Sequence, residues 1–248
     1  MIRLATTFLP RVSQGFPMTN RYQDFAKMID HSLLQPTMTV DQLEAGISLA
    51  LEYDVASVCI MPYYLKRCAE RLAGSTVKAS TTIGFPHGVQ TTQVKQREAE
   101  QAISDGCEEL DFVVNISKVL SGDWEFVSAE IEAVTKIAHD AGQAVKIIFE
   151  NCYLDDAQKI RLCEICNDLN VDWVKTSTGF GTGGATLEDL KLMRTHANAN
   201  VQVKAAGGIR DFEGLKAVRD LGVTRCGASR TKDILDACRT ELGLSPIA

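Results

Sequence analysis

Lys175 and Lys204 lie in two short apolar stretches, 172–176 and 201–206, that read as consecutive strands. Three more ionisable groups fall in similar stretches: Asp111 in 109–115, and Lys146 and Glu150 in 144–150. Buried strands exclude unpaired charge, so these five residues need a reason. One reason is structural, a buried network in which they neutralise one another. The other is amine chemistry. A free lysine has a pKa near 10.4, so about one amine in a few thousand is unprotonated at pH 7. Burial or a neighbouring cation lowers that value and frees a nucleophile. Two lysines on adjacent strands supply the second effect. One attacks a carbonyl to form a Schiff base while the other stays charged, and a carboxylate such as Asp111 carries protons.

Parity assigns faces. Side chains alternate along a strand, so Asp111 shares a face with Val113 and Asn115, opposite Leu110, Phe112 and Val114. If the apolar set packs against helices, Asp111 points inward. Lys146, Ile148 and Glu150 share one face in the same way.

Eight such strands are predicted, at 28–34, 55–61, 76–84, 109–115, 144–150, 172–176, 201–206 and 224–228. Helix signals separate them. Thr39 and Gln42 form a capping box, Asp123, Asp155 or Asp156, and Thr186 are N-caps, and Gly106, Gly142 and Gly222 are stops. Eight βα units with no linker predict an α/β fold, a closed (β/α)8 TIM barrel over 18–248, rather than an open doubly wound sheet. Barrel enzymes place their chemistry at the C-terminal ends of the strands, where both lysines fall. Residues 1–17 read as a poorly ordered N-terminal extension, or as a start displaced from Met18. The net charge of −6 gives no basic field for nucleic acid. No apolar run reaches the roughly 18 residues of a membrane span. Eight scattered cysteines suit reduced thiols in the cytoplasm.

Glycines suggest an anion site. Gly207 and Gly208 follow one strand and precede a helix, and Gly227 and Ser229 follow the eighth strand. Barrels commonly seat phosphate there. Gly179-Phe-Gly-Thr-Gly-Gly184 fits the dinucleotide fingerprint. The strand that follows ends in Ala205-Ala206 without the acid a nicotinamide enzyme needs. Cys163-Glu-Ile-Cys166 falls within a helix and has no second pair for zinc. His31 and His87, near strand ends, lack metal-ligand spacing.

At these residues the chain resembles the 2-deoxyribose-5-phosphate aldolase family of class I aldolases. The matching stretches include Ile29-Asp-His-Ser-Leu-Leu-Gln-Pro36, Glu109-Leu-Asp-Phe-Val-Val-Asn115, Lys146-Ile-Ile-Phe-Glu150, Val174-Lys-Thr-Ser-Thr-Gly-Phe180, Val203-Lys-Ala-Ala-Gly-Gly-Ile-Arg210 and Gly227-Ala-Ser229. The resemblance implies a TIM barrel that reversibly cleaves 2-deoxy-D-ribose 5-phosphate to acetaldehyde and glyceraldehyde 3-phosphate, with no metal or organic cofactor. Carried over by motif, Lys175 is the Schiff-base lysine, Lys204 lowers its pKa, and Asp111 transfers protons. Asp30 supports them. Thr176, Gly179, Gly207, Gly208, Gly227 and Ser229 face the sugar phosphate. Read from its own place at a strand's C-terminal end, Cys59 either packs in the core or faces the site and reacts with aldehydes. A homo-oligomer, dimeric in the first instance, is expected. The chain departs from the family pattern at Arg230, Phe180 and Asn151. Arg230 either adds a guanidinium to the phosphate or crowds it, which leaves the acceptor open.

Overall fold

The eight predicted strands all form, and each pairs in parallel with the next: β1 (Ile29–Leu33), β2 (Ser57–Ile60), β3 (Lys78–Ile83), β4 (Glu109–Val113), β5 (Ala144–Ile148), β6 (Trp173–Lys175), β7 (Gln202–Ala206) and β8 (Arg225–Ala228). β8 returns to β1, with Asp30 opposite Gly227, and closes the barrel. The computed structural model describes residues 21–247; the expected extension at 1–17 lies outside them.

Ten α-helices complete the described residues. α1 (Tyr22–Ala26) precedes the barrel. α2 (Val40–Glu52), α3 (Leu65–Leu72) and α4 (Thr92–Ser104) follow the first three strands. β4 is followed by the short α5 (Ile116–Leu120) and the long α6 (Trp124–Asp140). α7 (Asp156–Asp168), α8 (Leu187–His196), α9 (Phe212–Asp220) and α10 (Thr231–Glu241) alternate with the remaining strands.

The predicted caps are formed. Thr39 accepts from the Gln42 backbone N–H while the Gln42 side chain accepts from Thr39 N–H at 2.8 Å. Asp123, Asp155 and Thr186 accept from Phe126, Gln158 and Asp189 N–H in the same way. Each cap satisfies an amide that the first helical turn leaves without a partner, worth about 1 kcal/mol.

Parity holds in β4. Leu110, Phe112 and Val114 are fully buried in the apolar layer between sheet and helices, and Asp111 turns into the barrel. Each fully buried aliphatic side chain in that layer contributes roughly 1.5–3 kcal/mol. The layer's stability permits a polar barrel interior.

One prediction is corrected in β5. The strand stops at Ile148, and Glu150 adopts a left-handed conformation (φ 61°, ψ 60°). That turn takes its carboxylate out of the barrel interior. Glu150 instead accepts from the backbone N–H of Thr178 at 3.1 Å and from its hydroxyl.

Candidate active site

Asp111 is the hub of the barrel interior. Its Oδ2 lies 2.6 Å from Lys175 Nζ and 2.6 Å from Lys204 Nζ, and its Oδ1 lies 2.9 Å from Lys146 Nζ. The sheet register makes this possible. Asp111 stands opposite Lys146, and Lys175 opposite Lys204. Asp30 enters from β1, with Oδ2 2.6 Å from Lys204 Nζ. Two residues that the sequence reading did not single out complete the cluster. Glu109 contacts Lys146 at 2.7 Å, and Arg225 contacts Glu109 at 2.7 Å and Asp30 at 2.6 Å. Both the structural and the chemical readings of the buried charges therefore describe one cluster, with Glu109 and Asp30 where Glu150 was expected.

Burial and charge set the protonation states. Burial lowers the Lys175 amine below the ordinary lysine value; Asp111 pulls it up and Lys204 pushes it down again. Burial also disfavours the Lys204 and Lys146 ammonium groups. There the surrounding carboxylates outweigh it, Asp111 first in each case, and both stay above the ordinary value. Burial alone would raise the Asp111 carboxyl, but Lys146, Lys175 and Lys204 hold it well below the usual range. The three lysines thus separate by direction, Lys146 and Lys204 held above the ordinary value and Lys175 below it. Pairs of like groups driven apart in this way mark acid and base roles.

Above the cluster, a cavity of about 520 Å³ opens at the C-terminal ends of the strands. Lys175, Lys204, Asp30 and Cys59 form its floor, and Gly179, Gly207, Gly208, Gly227, Ser229 and Arg230 line it. Gly227 leaves room at the floor: a Cβ there would stand 3.7 Å from Lys204 Cε. A groove of about 570 Å³ on the outer wall, against α3 and α4, lies away from these charges and contains none of the clustered lysines.

The two helix starts at the mouth of the cavity differ. Asp211 caps α9 by accepting from Gly214 N–H at 2.8 Å, so an acid occupies that helix start. No side chain caps α10, whose N-cap is Arg230. Its first amides and the positive end of its dipole adjoin the cavity beside Ser229. Arg210, also unanticipated, adds a second guanidinium to the lining.

Thr176 is turned away from the cavity. Its Oγ1 donates to Ala206 O at 3.2 Å and accepts from Ala206 N–H at 3.1 Å, fastening β6 to β7. Thr178 takes the wall position, held by Glu150. Cys59 reaches the floor, where burial pushes its thiol up and keeps it neutral. Cys163 and Cys166 are buried on α7, outside the cavity. His31 is buried, with Nδ1 2.7 Å from Thr231 Oγ1. Two of the fingerprint glycines serve packing: a Cβ on Gly184 would stand 2.4 Å from the carbonyl oxygen of Gly207, and one on Gly181 2.9 Å from Cys152 Sγ, whereas Gly179 turns the chain at a φ of 87° beside open space.

A closed (β/α)8 barrel with a buried amine beside a carboxylate and a second amine defines an enzyme of carbonyl chemistry. The model of the DeoC/LacD family aldolases matches residues 25–229. A deoxyribose-phosphate aldolase of Rhodopirellula baltica is 66% identical over 227 residues, covering 92% of this chain and 94% of that protein. One from Thermococcus gammatolerans is 44% identical, covering 87% and 97%. The structure of a deoxyribose phosphate aldolase from Aeropyrum pernix, described as a unique tetramer, superposes with a TM-score of 0.83 at 28% identity over 90% of this chain and 94% of that one. The chain belongs to the DeoC/LacD aldolase family.

Proposed function

We propose that this aldolase reversibly cleaves 2-deoxy-D-ribose 5-phosphate to acetaldehyde and glyceraldehyde 3-phosphate through a Schiff base on Lys175. The observation that carries this reading is the shared Asp111 oxygen, 2.6 Å from both Lys175 and Lys204 Nζ. It couples a poised amine to a retained ammonium. The names of the two curated relatives support the substrate.

In the cleavage direction, neutral Lys175 attacks the aldehyde carbon, and loss of water gives a protonated imine. The iminium is an electron sink. Removal of the C3 hydroxyl proton breaks the C2–C3 bond, and that electron pair forms an enamine on Lys175. Glyceraldehyde 3-phosphate leaves, the enamine carbon takes a proton, and water hydrolyses the imine to acetaldehyde. In this reading Asp111, 2.6 Å from both amines, passes protons between Lys175 and Lys204. Ser229, Gly207, Gly208, Arg210, Arg230 and the start of α10 receive the phosphate.

A homo-oligomer, with the dimer as first expectation, suits this reading, since the Aeropyrum pernix structure is described as a tetramer; light scattering of the purified chain decides it. Eight free thiols, seven of them buried, favour a reducing compartment such as the cytoplasm.

Borohydride reduction with acetaldehyde tests the chemistry. Peptide mapping is expected to find an ethyl group on Lys175. Trapping at another lysine, or at none, overturns the assignment.

A further inference from the structure

The barrel floor holds more charge than the proposed reaction uses. Facing inward are three carboxylates, Asp30 from β1 with Glu109 and Asp111 from β4. Four cations meet them: Lys146, Lys175, Lys204 and Arg225, from β5 to β8 in order. β2 contributes Cys59, a neutral thiol, and β3 contributes Ser80 and Thr82. Glu150 is occupied by Thr178, and Arg210 and Arg230 are exposed at the mouth, where water screens them.

With every group ionised, this buried cluster carries one surplus positive charge. In a low-dielectric interior that surplus is costly, and a group sheds it by changing protonation. The contacts say which group. Lys146 meets three carboxylates, at 2.7, 2.9 and 3.6 Å. Lys204 meets two, both at 2.6 Å. Lys175 meets one, Asp111. Arg225 does not deprotonate. Its guanidinium bridges Glu109 (2.7 and 2.9 Å) and Asp30 (2.6 Å), and it lies 4.9 Å from the Trp173 ring centre.

We propose that Arg225 is a positioning residue of the active site: its fixed charge, seated on Glu109 and Asp30, leaves the buried cluster neutral only when Lys175 is the free amine. Without Arg225, three carboxylates would face three lysines, and the neutral cluster would keep Lys175 as an ammonium. Arg225 acts through intervening ion pairs, by way of Asp30, Lys204 and Asp111 or of Glu109, Lys146 and Asp111, and touches no reacting atom. The inference rests on Lys175 as the nucleophile, and it deepens that reading by naming what sets the amine's charge.

The test uses Arg225→Gln, Arg225→Lys, Glu109→Gln and the Arg225→Gln/Glu109→Gln double variant. The readout is the acid limb of the pH profile of kcat/KM for deoxyribose 5-phosphate, which reports the free enzyme's nucleophile. Removing a positive charge favours the ammonium, so Arg225→Gln moves the limb up by about one pH unit. Removing a negative charge does the reverse, so Glu109→Gln moves it down. The double variant restores the surplus and returns the limb toward wild type, and Arg225→Lys keeps it in place. A structural role alone would not give opposite signs or a restored double variant. If Arg225→Gln does not fold, the downward shift in Glu109→Gln and the unmoved limb in Arg225→Lys carry the decision. Borohydride labelling of Lys175 in the wild type, with limbs that stay put or that shift alike in Arg225→Gln and Arg225→Lys, overturns the role of Arg225. Labelling elsewhere overturns the reading beneath it.

Discussion

Lys175 and Lys204 stand opposite one another in the β6–β7 register, and their Nζ atoms share a single oxygen of Asp111, each at 2.6 Å. The sharing is unequal in effect. Asp30 is a second counter-ion for Lys204 and holds it charged. Lys175 has no second carboxylate among its ion pairs, and burial dominates its protonation. Two identical side chains, each 2.6 Å from one carboxylate oxygen, are thereby shifted in opposite directions from the ordinary lysine value.

Replacement of Lys204 by Met removes the cation beside Lys175 and leaves Asp111 shared by two lysines instead of three. Both changes favour the Lys175 ammonium. The acid limb of kcat/KM moves to higher pH, and activity at neutral pH falls by roughly 10²–10⁴-fold. A pH–rate profile checks this, and an unmoved limb would contradict the pairing.

Gly184→Ala tests how the two phosphate-side loops are held together. The added Cβ would meet the Gly207 carbonyl oxygen at 2.4 Å and Cα at 3.0 Å, with no side chain able to rotate away. Ala185 N–H already donates to Ala206 O at 3.0 Å and Gly207 O at 2.9 Å in the same place. Relief of such overpacking costs about 1–3 kcal/mol and shifts backbone. KM for deoxyribose 5-phosphate is expected to rise about tenfold, while acetaldehyde trapping on Lys175 persists. An equal KM rise for unphosphorylated deoxyribose would show that the loops do not serve the phosphate.

Arg230→Ser addresses the departure from the family pattern. Arg230 lines the cavity and makes an exposed ion pair with Asp233 at 3.6 Å. A solvent-exposed guanidinium contributes about 1 kcal/mol at most. KM for phosphorylated substrate should rise roughly five-fold with kcat held. Steady-state kinetics at two ionic strengths check it, and a lower KM in the variant would mean that Arg230 crowds the phosphate.

Much of this was readable from the chain because a parallel barrel buries both strand faces. Apolar runs located all eight strands, and alternation put Asp111 inside. The same alternation reaches Glu109, two residues before Asp111, and Arg225, two before Gly227. Each begins its strand, where a charge reads as the edge of a loop, so their inward direction was not drawn. Glu150 misled because a left-handed turn at a glutamate has no sequence signal. Thr176 misled because a motif gives residue type without the direction of its hydroxyl.

Acid sensitivity should come in two stages. His31 is 5% exposed, and burial pushes its imidazole from 6.5 down to about 4. Between those values the unfolded chain binds a proton that the folded chain refuses. The stability His31 lends is therefore complete above about pH 6.5 and is lost as pH falls toward 4, by roughly 3 kcal/mol. The carboxyls of Asp30, Glu109 and Asp111 are held low by their lysine and arginine partners against burial. Their contribution is present above the unfolded carboxylate value of about 4 and is lost only as pH falls below it. His139 works in the opposite sense, since Asp172 raises its imidazole, but it is exposed enough for water to weaken the effect. Urea unfolding from pH 8 to 3 should show a first decline between about 6.5 and 4 and a steeper one below. His31→Asn is expected to keep the second decline and flatten the first. An unchanged slope between pH 6.5 and 4 would mean that His31 is not the group that takes up the proton on unfolding.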